Sequence, residues 1–216
     1  MIEFLNHKPI KVAFKQKRSL ELFETIKIEN GEAKNLAYHQ WRVDFAFRNY
    51  YKTEPSFSLQ EHFHNLPSKG IYRAKLIYNQ EKILSLEFFP YTPKRIKTIM
   101  LIENPLFEYR FKYLNRDFFE YLYTNFEADE FIITKNGFLK EFSIGNLALY
   151  KNSKNKWYTP AKPFLLGTTL YRFLKTAQLS LTIQNIYYKD LKNYSKIALM
   201  NAMLDCKEFL IKGKRW

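Results

Sequence analysis

Apolar and polar residues alternate along several short stretches of the chain, the pattern of half-buried β-strands. The first stretch, Leu20 to Glu29, precedes Asn30-Gly31, a pair that readily adopts the positive φ angles of a tight hairpin turn. A second turn of this kind is predicted at Asn136-Gly137. The other predicted strands are Ile71 to Tyr78, Ile83 to Phe89, Ile96 to Ile102, Phe131 to Thr134, Phe138 to Phe142, Leu147 to Tyr150, Leu179 to Tyr188 and Ile197 to Met200.

Helical spacing of apolar residues appears between these stretches. It predicts helices over Ala37 to Tyr50, over Leu114 to Phe126 and from Thr168 to Leu174, and a capping-box pattern at Ser58 and Glu61 predicts a short helix through Leu66. Hairpins mixed with helices indicate an α/β (α+β mixed) fold. The proline after Asn104 is the expected boundary between two small domains, residues 1–103 and 104–216.

Composition and charge restrict the class of protein and of partner. With 46% hydrophobic residues among 216, the chain can bury a sizeable core. Lys and Arg number 35 against 21 for Asp and Glu, so the formal net charge is +14. An anionic partner is therefore expected. Charge alone leaves open whether this is nucleic acid, lipid headgroups or a small substrate bearing phosphate or carboxylates.

Several kinds of site are excluded by residue usage. The single cysteine, Cys206, precludes an intramolecular disulfide and favours a reducing compartment. The four histidines lack the spacing of zinc ligands, so no metal site is expected. The six glycines form no glycine-rich phosphate loop. No apolar run approaches the roughly 18 residues that a membrane-spanning helix needs. We expect a cytoplasmic protein without membrane contact.

Polar landmarks occur in a fixed order along the chain. His39-Gln40-Trp41-Arg42 comes first, and Lys112 follows in Phe111-Lys112-Tyr113-Leu114-Asn115-Arg116. Glu141 comes next, and Asn146 lies five positions after it. Gly167-Thr168-Thr169 then opens a predicted helix. Taken alone, Lys112 is typical of a surface lysine, Glu141 of a strand-edge carboxylate and Arg42 of one half of a helix ion pair. Their order and spacing together are specific.

This set of residues resembles the class IV aminotransferase family, the fold-type IV pyridoxal-phosphate (PLP) enzymes, over about residues 20 to 205. The resemblance implies two small α/β domains with the cofactor between them. It implies that Lys112 binds the cofactor covalently and that Glu141 contacts its pyridine nitrogen. Arg42 would contact the phosphate. The remaining implied phosphate and cofactor contacts are Gly167, Thr168, Thr169 and Asn146, the last with a more structural role in holding a loop.

These implied roles agree with elementary chemistry. A lysine that attacks a carbonyl must be neutral part of the time, which apolar neighbours such as Phe111 and Tyr113 favour. An anionic Glu141 would keep the pyridine nitrogen protonated, so the ring could accept an electron pair. Backbone N–H groups at the start of the Thr168 helix suit a phosphate, and Arg42 offers a bidentate partner.

Two details resemble the lyase branch of the family. These are Lys112-Tyr113-Leu114-Asn115-Arg116 and the late segment containing Asn201. The resemblance therefore implies conversion of 4-amino-4-deoxychorismate to 4-aminobenzoate and pyruvate, a step toward folate. Two alternatives stay open. One is a class IV aminotransferase acting on a small amino acid, and the other is a non-catalytic homologue that binds an anion.

The partners expected from the resemblance are a small anionic substrate and a second copy of the chain in a homodimer; nucleic acid is not expected. Candidate substrate contacts are Phe23, Arg73, Arg110 and Asn201. The chain departs from the family pattern where Leu170 follows the phosphate-binding threonine in place of an arginine. More of the phosphate contact would then fall to Arg42.

Overall fold

The computed structural model describes residues 1–212. Its strands, numbered in chain order, are β1 (Glu3–Phe4), β2 (Ile10–Lys11), β3 (Leu22–Glu29), β4 (Glu32–Ala33), β5 (Ile71–Tyr78), β6 (Ile83–Pro90), β7 (Thr98–Glu103), β8 (Glu130–Lys135), β9 (Phe138–Phe142), β10 (Asn146–Lys151), β11 (Lys156–Pro160), β12 (Leu181–Gln184), β13 (Lys196–Asn201) and β14 (Asp205–Leu210). Its α-helices are α1 (Leu36–Ala46), α2 (Asp117–Asn125) and α3 (Thr168–Thr176). Short helices of other types span Phe47–Tyr51, Leu59–Glu61, Asn152–Lys154 and Tyr188–Asn193. Each helix within residues 1–212 is too short or too polar to span a bilayer.

The chain forms two compact units that divide it differently from the predicted residues 1–103 and 104–216. The smaller unit comprises Lys17–Pro93 and Phe111–Asn115, and the larger unit comprises the remaining described residues. Strand β7 belongs to the larger unit because it pairs in parallel with β8. The segment that carries Lys112 belongs to the smaller unit, since its backbone bonds to the beginning of β3. Lys112 therefore groups with the N-terminal residues, not with the C-terminal domain in which the sequence analysis expected it.

The smaller unit is built on an antiparallel sheet with strand order β4-β3-β5-β6. Side chains alternate along β3, so that Leu22, Ile26 and Ile28 are fully buried while Lys27 and Glu29 are only partly covered. Glu24 lies on the buried face of this alternation. Helix α1 contacts that face through side chains that reach Glu24.

The larger unit contains two sheets. One has strand order β1-β7-β8-β9, with β2 also pairing with β7, and the other has the order β12-β11-β10-β13-β14. A common core joins them, formed by side chains such as Leu101, Ile132, Leu147 and Leu199. Helix α3 packs on the second sheet, where Leu170 joins a separate apolar cluster. This packing places the beginning of α3 at a defined point of the larger unit.

Both predicted hairpin turns are confirmed. Asn30 and Gly31 have φ angles of 50° and 85°, and Asn136 and Gly137 have φ angles of 54° and 77°. The strands flanking these turns and the helices at α1, α2 and α3 also agree with the predicted ranges to within a few residues. The mixed α/β class is confirmed as well.

The predicted helix from Ser58 to Leu66 is wrong. Only Leu59–Glu61 forms a single 3₁₀ turn, and the Ser58 side chain makes no capping bond. The backbone N–H of Leu59 is bonded at 2.7 Å by the side-chain oxygen of Gln40, which lies on α1. A distant residue thus satisfies a helix-start donor, and Asn65, with φ 53°, turns the chain away.

The later strands were predicted less well. The expected strand from Leu179 to Tyr188 is shorter, since β12 spans Leu181–Gln184 and a 3₁₀ helix begins at Tyr188. Strands β11 and β14 were not predicted. Strand β14 is mostly exposed, so its sequence lacks the apolar alternation that identifies a half-buried strand.

The Asn136-Gly137 turn provides a test of packing around a hairpin. A β-carbon at residue 137 would lie 2.1 Å from the Tyr187 ring, whereas one at Gly31 would meet only a backbone atom at 3.8 Å. Both glycines have positive φ, so Gly31→Ala should lower the free energy of unfolding by about 1 kcal/mol through backbone strain alone. Gly137→Ala should lower it by roughly 1–3 kcal/mol more because of overpacking. Urea unfolding followed by circular dichroism measures both.

Tyr187→Ala provides the control. In that background the ring is absent, so Gly137→Ala should have about the same effect as Gly31→Ala. Equal losses for Gly31→Ala and Gly137→Ala in the wild-type background would contradict the predicted clash.

Candidate active site

A buried charge cluster lies on the inner face of the smaller unit's sheet. Arg42 Nε and Nη2 donate to the two carboxylate oxygens of Glu24 at 2.8 and 2.6 Å. His39 Nδ1 lies 2.6 Å from Glu24 Oε2. His39 and Arg42 are three positions apart on α1 and therefore face the same side of that helix. The cluster attaches α1 to β3 by directional bonds.

The protonation states in this cluster follow from its surroundings. Burial raises the pKa of Glu24, but the charge of Arg42 and the hydrogen bond from His39 outweigh burial and lower this pKa to about 2. Burial lowers the pKa of His39, against the opposing effect of Glu24. His39 is therefore neutral, with its proton on Nδ1, because an anionic Glu24 can only accept. The His39 Nε2 atom is buried without a hydrogen-bond partner among residues 1–212.

Lys112 lies beside this cluster in the smaller unit. Its backbone oxygen accepts the Phe23 N–H at 3.0 Å, and its Nζ lies 4.3 Å from the centroid of the Phe23 ring. The flanking Phe111 and Tyr113, which the sequence analysis named as apolar neighbours of Lys112, are buried. The charge of Lys112 also contributes to the lowered pKa of His39. The structure thus brings Lys112, Phe23 and the Arg42 cluster together within one unit.

The two candidate carboxylate-binding arginines lie elsewhere. Arg73 is an exposed residue of β5, with its guanidinium 5.2 Å from the centroid of the Phe89 ring. Arg110 is an exposed residue of the larger unit. The two therefore belong to different units.

In the larger unit, Glu141 and Asn146 both bind the segment that precedes α3. Glu141 Oε2 accepts the Leu165 N–H at 2.9 Å. The Asn146 side chain donates to the Leu165 carbonyl oxygen at 2.8 Å and accepts the Gly167 N–H at 2.9 Å. Both side chains are buried, with 4% and 3% of their surface exposed. The prediction that Asn146 bonds a loop backbone agrees with these contacts.

The beginning of α3 presents backbone donors. Gly167 is the N-cap, and the first helical bond runs from the Tyr171 N–H to the Gly167 carbonyl oxygen. Within residues 1–212, the N–H groups of Thr168, Thr169 and Leu170 have no hydrogen-bond acceptor. Such groups, together with the helix dipole, are suited to an anion. This is the position that the sequence analysis assigned to a phosphate.

Asn201 lies at a turn of the larger unit. Its side-chain oxygen accepts the N–H groups of Met203 and Leu204, and its side-chain nitrogen donates to the Ile144 carbonyl oxygen. The amide group is therefore used to hold the β13–β14 turn. These contacts favour a structural role over the predicted substrate contact.

Sequence reasoning did not identify Glu24 as part of the site. The available signal was a charged residue at a position of β3 where the alternation requires an apolar one. The role of Leu165 was also missed, because nothing in its sequence indicates which side chains bind its backbone.

Comparisons with known proteins place the chain in a family. A model of the amino-transferase class IV family matches residues 21–208. An uncharacterised protein from Haemophilus influenzae is 35% identical over 191 residues, which cover 84% of this chain and 97% of that protein.

Solved structures have the same fold. A proposed 4-amino-4-deoxychorismate lyase from Haemophilus somnus is 32% identical, with a TM-score of 0.75 and coverage of 85% of this chain and 96% of that one. The PLP-bound form of a hypothetical aminotransferase from Mycobacterium tuberculosis is 14% identical, with a TM-score of 0.70 and coverage of 94% and 87%. The fold is thus that of fold-type IV enzymes. The chain belongs to the class IV aminotransferase family, which confirms the resemblance drawn from the sequence.

The charge cluster predicts a specific pH dependence of stability. Since the pKa of Glu24 is lowered from 4.5 to about 2, its ion pair stabilises the fold above pH 4.5 and loses this effect as the pH falls toward 2. Glu24→Gln should lower the free energy of unfolding near neutral pH by about 3–5 kcal/mol, since it leaves a buried arginine unpaired. Between pH 4.5 and 2 the difference from the wild type should shrink.

Glu29→Gln is the matched control, because Glu29 lies on the same strand but pairs with Lys27 at the surface. It should change stability far less at every pH. Thermal unfolding at several pH values measures both variants. A constant difference between Glu24→Gln and the wild type across the acid range would contradict the assignment.

Proposed function

We propose that the chain is a PLP-dependent lyase that converts 4-amino-4-deoxychorismate to 4-aminobenzoate and pyruvate. The observation that carries the proposal is the position of Lys112, whose Nζ lies over the Phe23 ring beside the buried Arg42 cluster. The 32% identity to a proposed lyase from Haemophilus somnus supports the same branch of the family.

The residues present fit the cofactor. The α3 N–H groups of Thr168, Thr169 and Leu170 match the need of a phosphate for several donors. Arg42 adds a guanidinium whose orientation Glu24 holds. Glu141 offers a buried carboxylate for the pyridine nitrogen, and Lys112 offers the primary amine. We therefore assign these residues to cofactor binding.

The chemistry follows from these roles. When bound, PLP supplies an aldehyde that links covalently to an amine and a ring that accepts an electron pair. Glu141 accepts a hydrogen bond from the Leu165 N–H at 2.9 Å, and in its anionic form it would keep a neighbouring ring nitrogen protonated. Lys112 Nζ removes the proton from the amine-bearing carbon of the substrate. Loss of the enolpyruvyl oxygen from the adjacent carbon would make the substrate ring aromatic. Lys112 would return its proton to the departing oxygen, so that enolpyruvate leaves and tautomerises to pyruvate.

The substrate carries two carboxylates, which agrees with the formal charge of +14. Arg73 and Arg110 are exposed cations that stay candidates for these carboxylates, and Phe23 offers an apolar face. Asn201 is left out of the proposed substrate contacts because its amide holds a turn. The proposal includes a homodimer in the cytoplasm, which sedimentation of the purified protein and fractionation of cells test.

Covalent attachment tests the role of Lys112. After borohydride reduction in the presence of PLP, peptide mass spectrometry should find the cofactor on Lys112, and Lys112→Ala should abolish this attachment and essentially all turnover. Lys140→Ala is a control, because Lys140 is another partly covered lysine whose pKa burial lowers. It should retain attachment. Cofactor bound only at other lysines, or undiminished turnover by Lys112→Ala, would refute the assignment.

Product analysis tests the reaction. Supplied with chorismate, ammonia and an aminodeoxychorismate synthase, the protein should release 4-aminobenzoate and pyruvate in equal amounts. Glu141→Gln should slow this release by about a hundredfold or more, because the ring nitrogen loses its anionic partner. Rapid formation of the amine form of the cofactor from a small amino acid, without 4-aminobenzoate, would identify an aminotransferase. A protein that binds anions but neither cofactor nor substrate would be a non-catalytic homologue.

A further inference from the structure

The segment Leu165–Gly167 is held at both ends by two side chains that project from strands. Asn146 is the first residue of β10 and pairs with Met200 of β13, so its backbone has little freedom. Its amide bonds the carbonyl of Leu165 and the N–H of Gly167. Glu141, on β9, accepts a hydrogen bond from the Leu165 N–H. Leu165 is therefore bonded through both of its backbone polar groups.

Position 167 requires a glycine because the Asn146 side chain approaches it closely, and not because of the backbone conformation there. Its φ angle is −70°, which any residue adopts. A β-carbon there would lie 2.4 Å from Asn146 Oδ1, inside van der Waals contact. A side chain at residue 167 would therefore push the Asn146 amide away. The glycine and the asparagine form one matched pair.

This pair determines where the donors of α3 lie. The helix begins immediately after Gly167, and the N–H groups of Thr168, Thr169 and Leu170 lie in its first turn. Thr168 and Thr169 are each only 4% exposed, so the first turn sits against the unit's interior. A shift of Gly167 would move all three donors together. The same segment is bonded to Glu141, so the donors also keep a set position relative to that carboxylate.

We propose that Asn146 is a positioning residue for phosphate recognition, acting through Gly167 on the N–H groups at the beginning of α3. The inference rests on the proposed function, since it assigns the phosphate of PLP to these donors. Asn146 acts without touching the cofactor. Through Leu165, Asn146 also connects the phosphate-binding donors to Glu141. The groups proposed to contact the phosphate and the pyridine nitrogen are therefore positioned by the same backbone segment.

The experiment compares binding of PLP with binding of pyridoxal, which lacks the phosphate, by full-length protein. Titrations followed by the visible absorbance of the bound cofactor give the ratio of the two affinities. Asn146→Ala should lower this ratio about tenfold or more, the scale set by loss of a buried hydrogen bond, while pyridoxal affinity changes little. Asn104→Ala is the matched control, since buried Asn104 likewise bonds the backbone on both sides, at Phe14 and Leu106. It should leave the ratio unchanged.

Gly167→Ala provides a second route to the same result. Its methyl group displaces the Asn146 amide, so the affinity ratio should fall as in Asn146→Ala. The double variant should be no worse than either single variant, because removal of Oδ1 makes room for the methyl group. This non-additivity is measured in the folded protein and does not require Asn146→Ala to be as stable as the wild type.

The outcomes separate the two proposals. If the wild type binds neither PLP nor pyridoxal covalently, the proposed function fails and the role of Asn146 fails with it. If the wild type binds both and Asn146→Ala or Gly167→Ala leaves the ratio unchanged, only the role of Asn146 is overturned. Equal losses of PLP and pyridoxal affinity would likewise overturn it, because they indicate general damage and not phosphate positioning.

Discussion

A carboxylate that is wholly removed from water requires an opposite charge and hydrogen-bond donors around it, and Glu24 obtains both from α1. The requirement explains why Arg42 and His39 occur together, three positions apart on one helix face. Apolar contacts alone would not specify the position of α1 on the sheet, whereas the hydrogen bonds to Glu24 specify one orientation. The same contacts set the proton of His39 on Nδ1. Lys112 lies next to this arrangement, and its charge contributes to the lowered pKa of His39.

The pairing also bears on the proposed contact between Arg42 and a phosphate. Because Glu24 is anionic and His39 neutral, the cluster carries no net charge. In the proposed role, Arg42 would contribute hydrogen-bond geometry, through a guanidinium that Glu24 holds in one orientation, more than long-range attraction. The hydrogen-bond donors at the beginning of α3 differ from Arg42 because they are uncharged backbone N–H groups. Their attraction for an anion comes from the N–H dipoles and the helix dipole. At the beginning of α3, the proposed phosphate would thus be recognised mainly by hydrogen-bond geometry.

The two units use different means to position functional groups. Charge compensation organises the smaller unit, while the larger unit uses side-chain to backbone bonds from Asn146 and Glu141. Glycines serve different purposes as well. Gly137 is needed both for its positive φ and for the nearby Tyr187 ring, whereas Gly167 has an ordinary φ and is needed only for the approach of Asn146. A glycine's role therefore follows from its contacts as much as from its conformation.

Features that depend only on residues adjacent in the sequence were predictable. The turns at Asn30-Gly31 and Asn136-Gly137 and the strand alternation around them need only local φ preferences and a repeat of two, and both agree with the structure. The capping pattern at Ser58 failed because Gln40, from another element, bonds the Leu59 N–H. The unit to which Lys112 belongs was also missed, since its strand-like pairing with β3 joins residues almost ninety positions apart.

For the candidate site, too, some features followed from the sequence and others only from the tertiary structure. The chain by itself determined which chemical groups are available and the family to which they belong, because the identities and order of Lys112, Glu141, Arg42 and the Gly167 helix start are written in it. Only the tertiary structure decided that Glu24 orients Arg42, that Asn201 holds a turn and that Asn146 holds Gly167. These contacts join residues from separate elements over distances of 2.6–3.2 Å. Hydrogen bonds of that length depend on how sheets and helices pack, which no local pattern records.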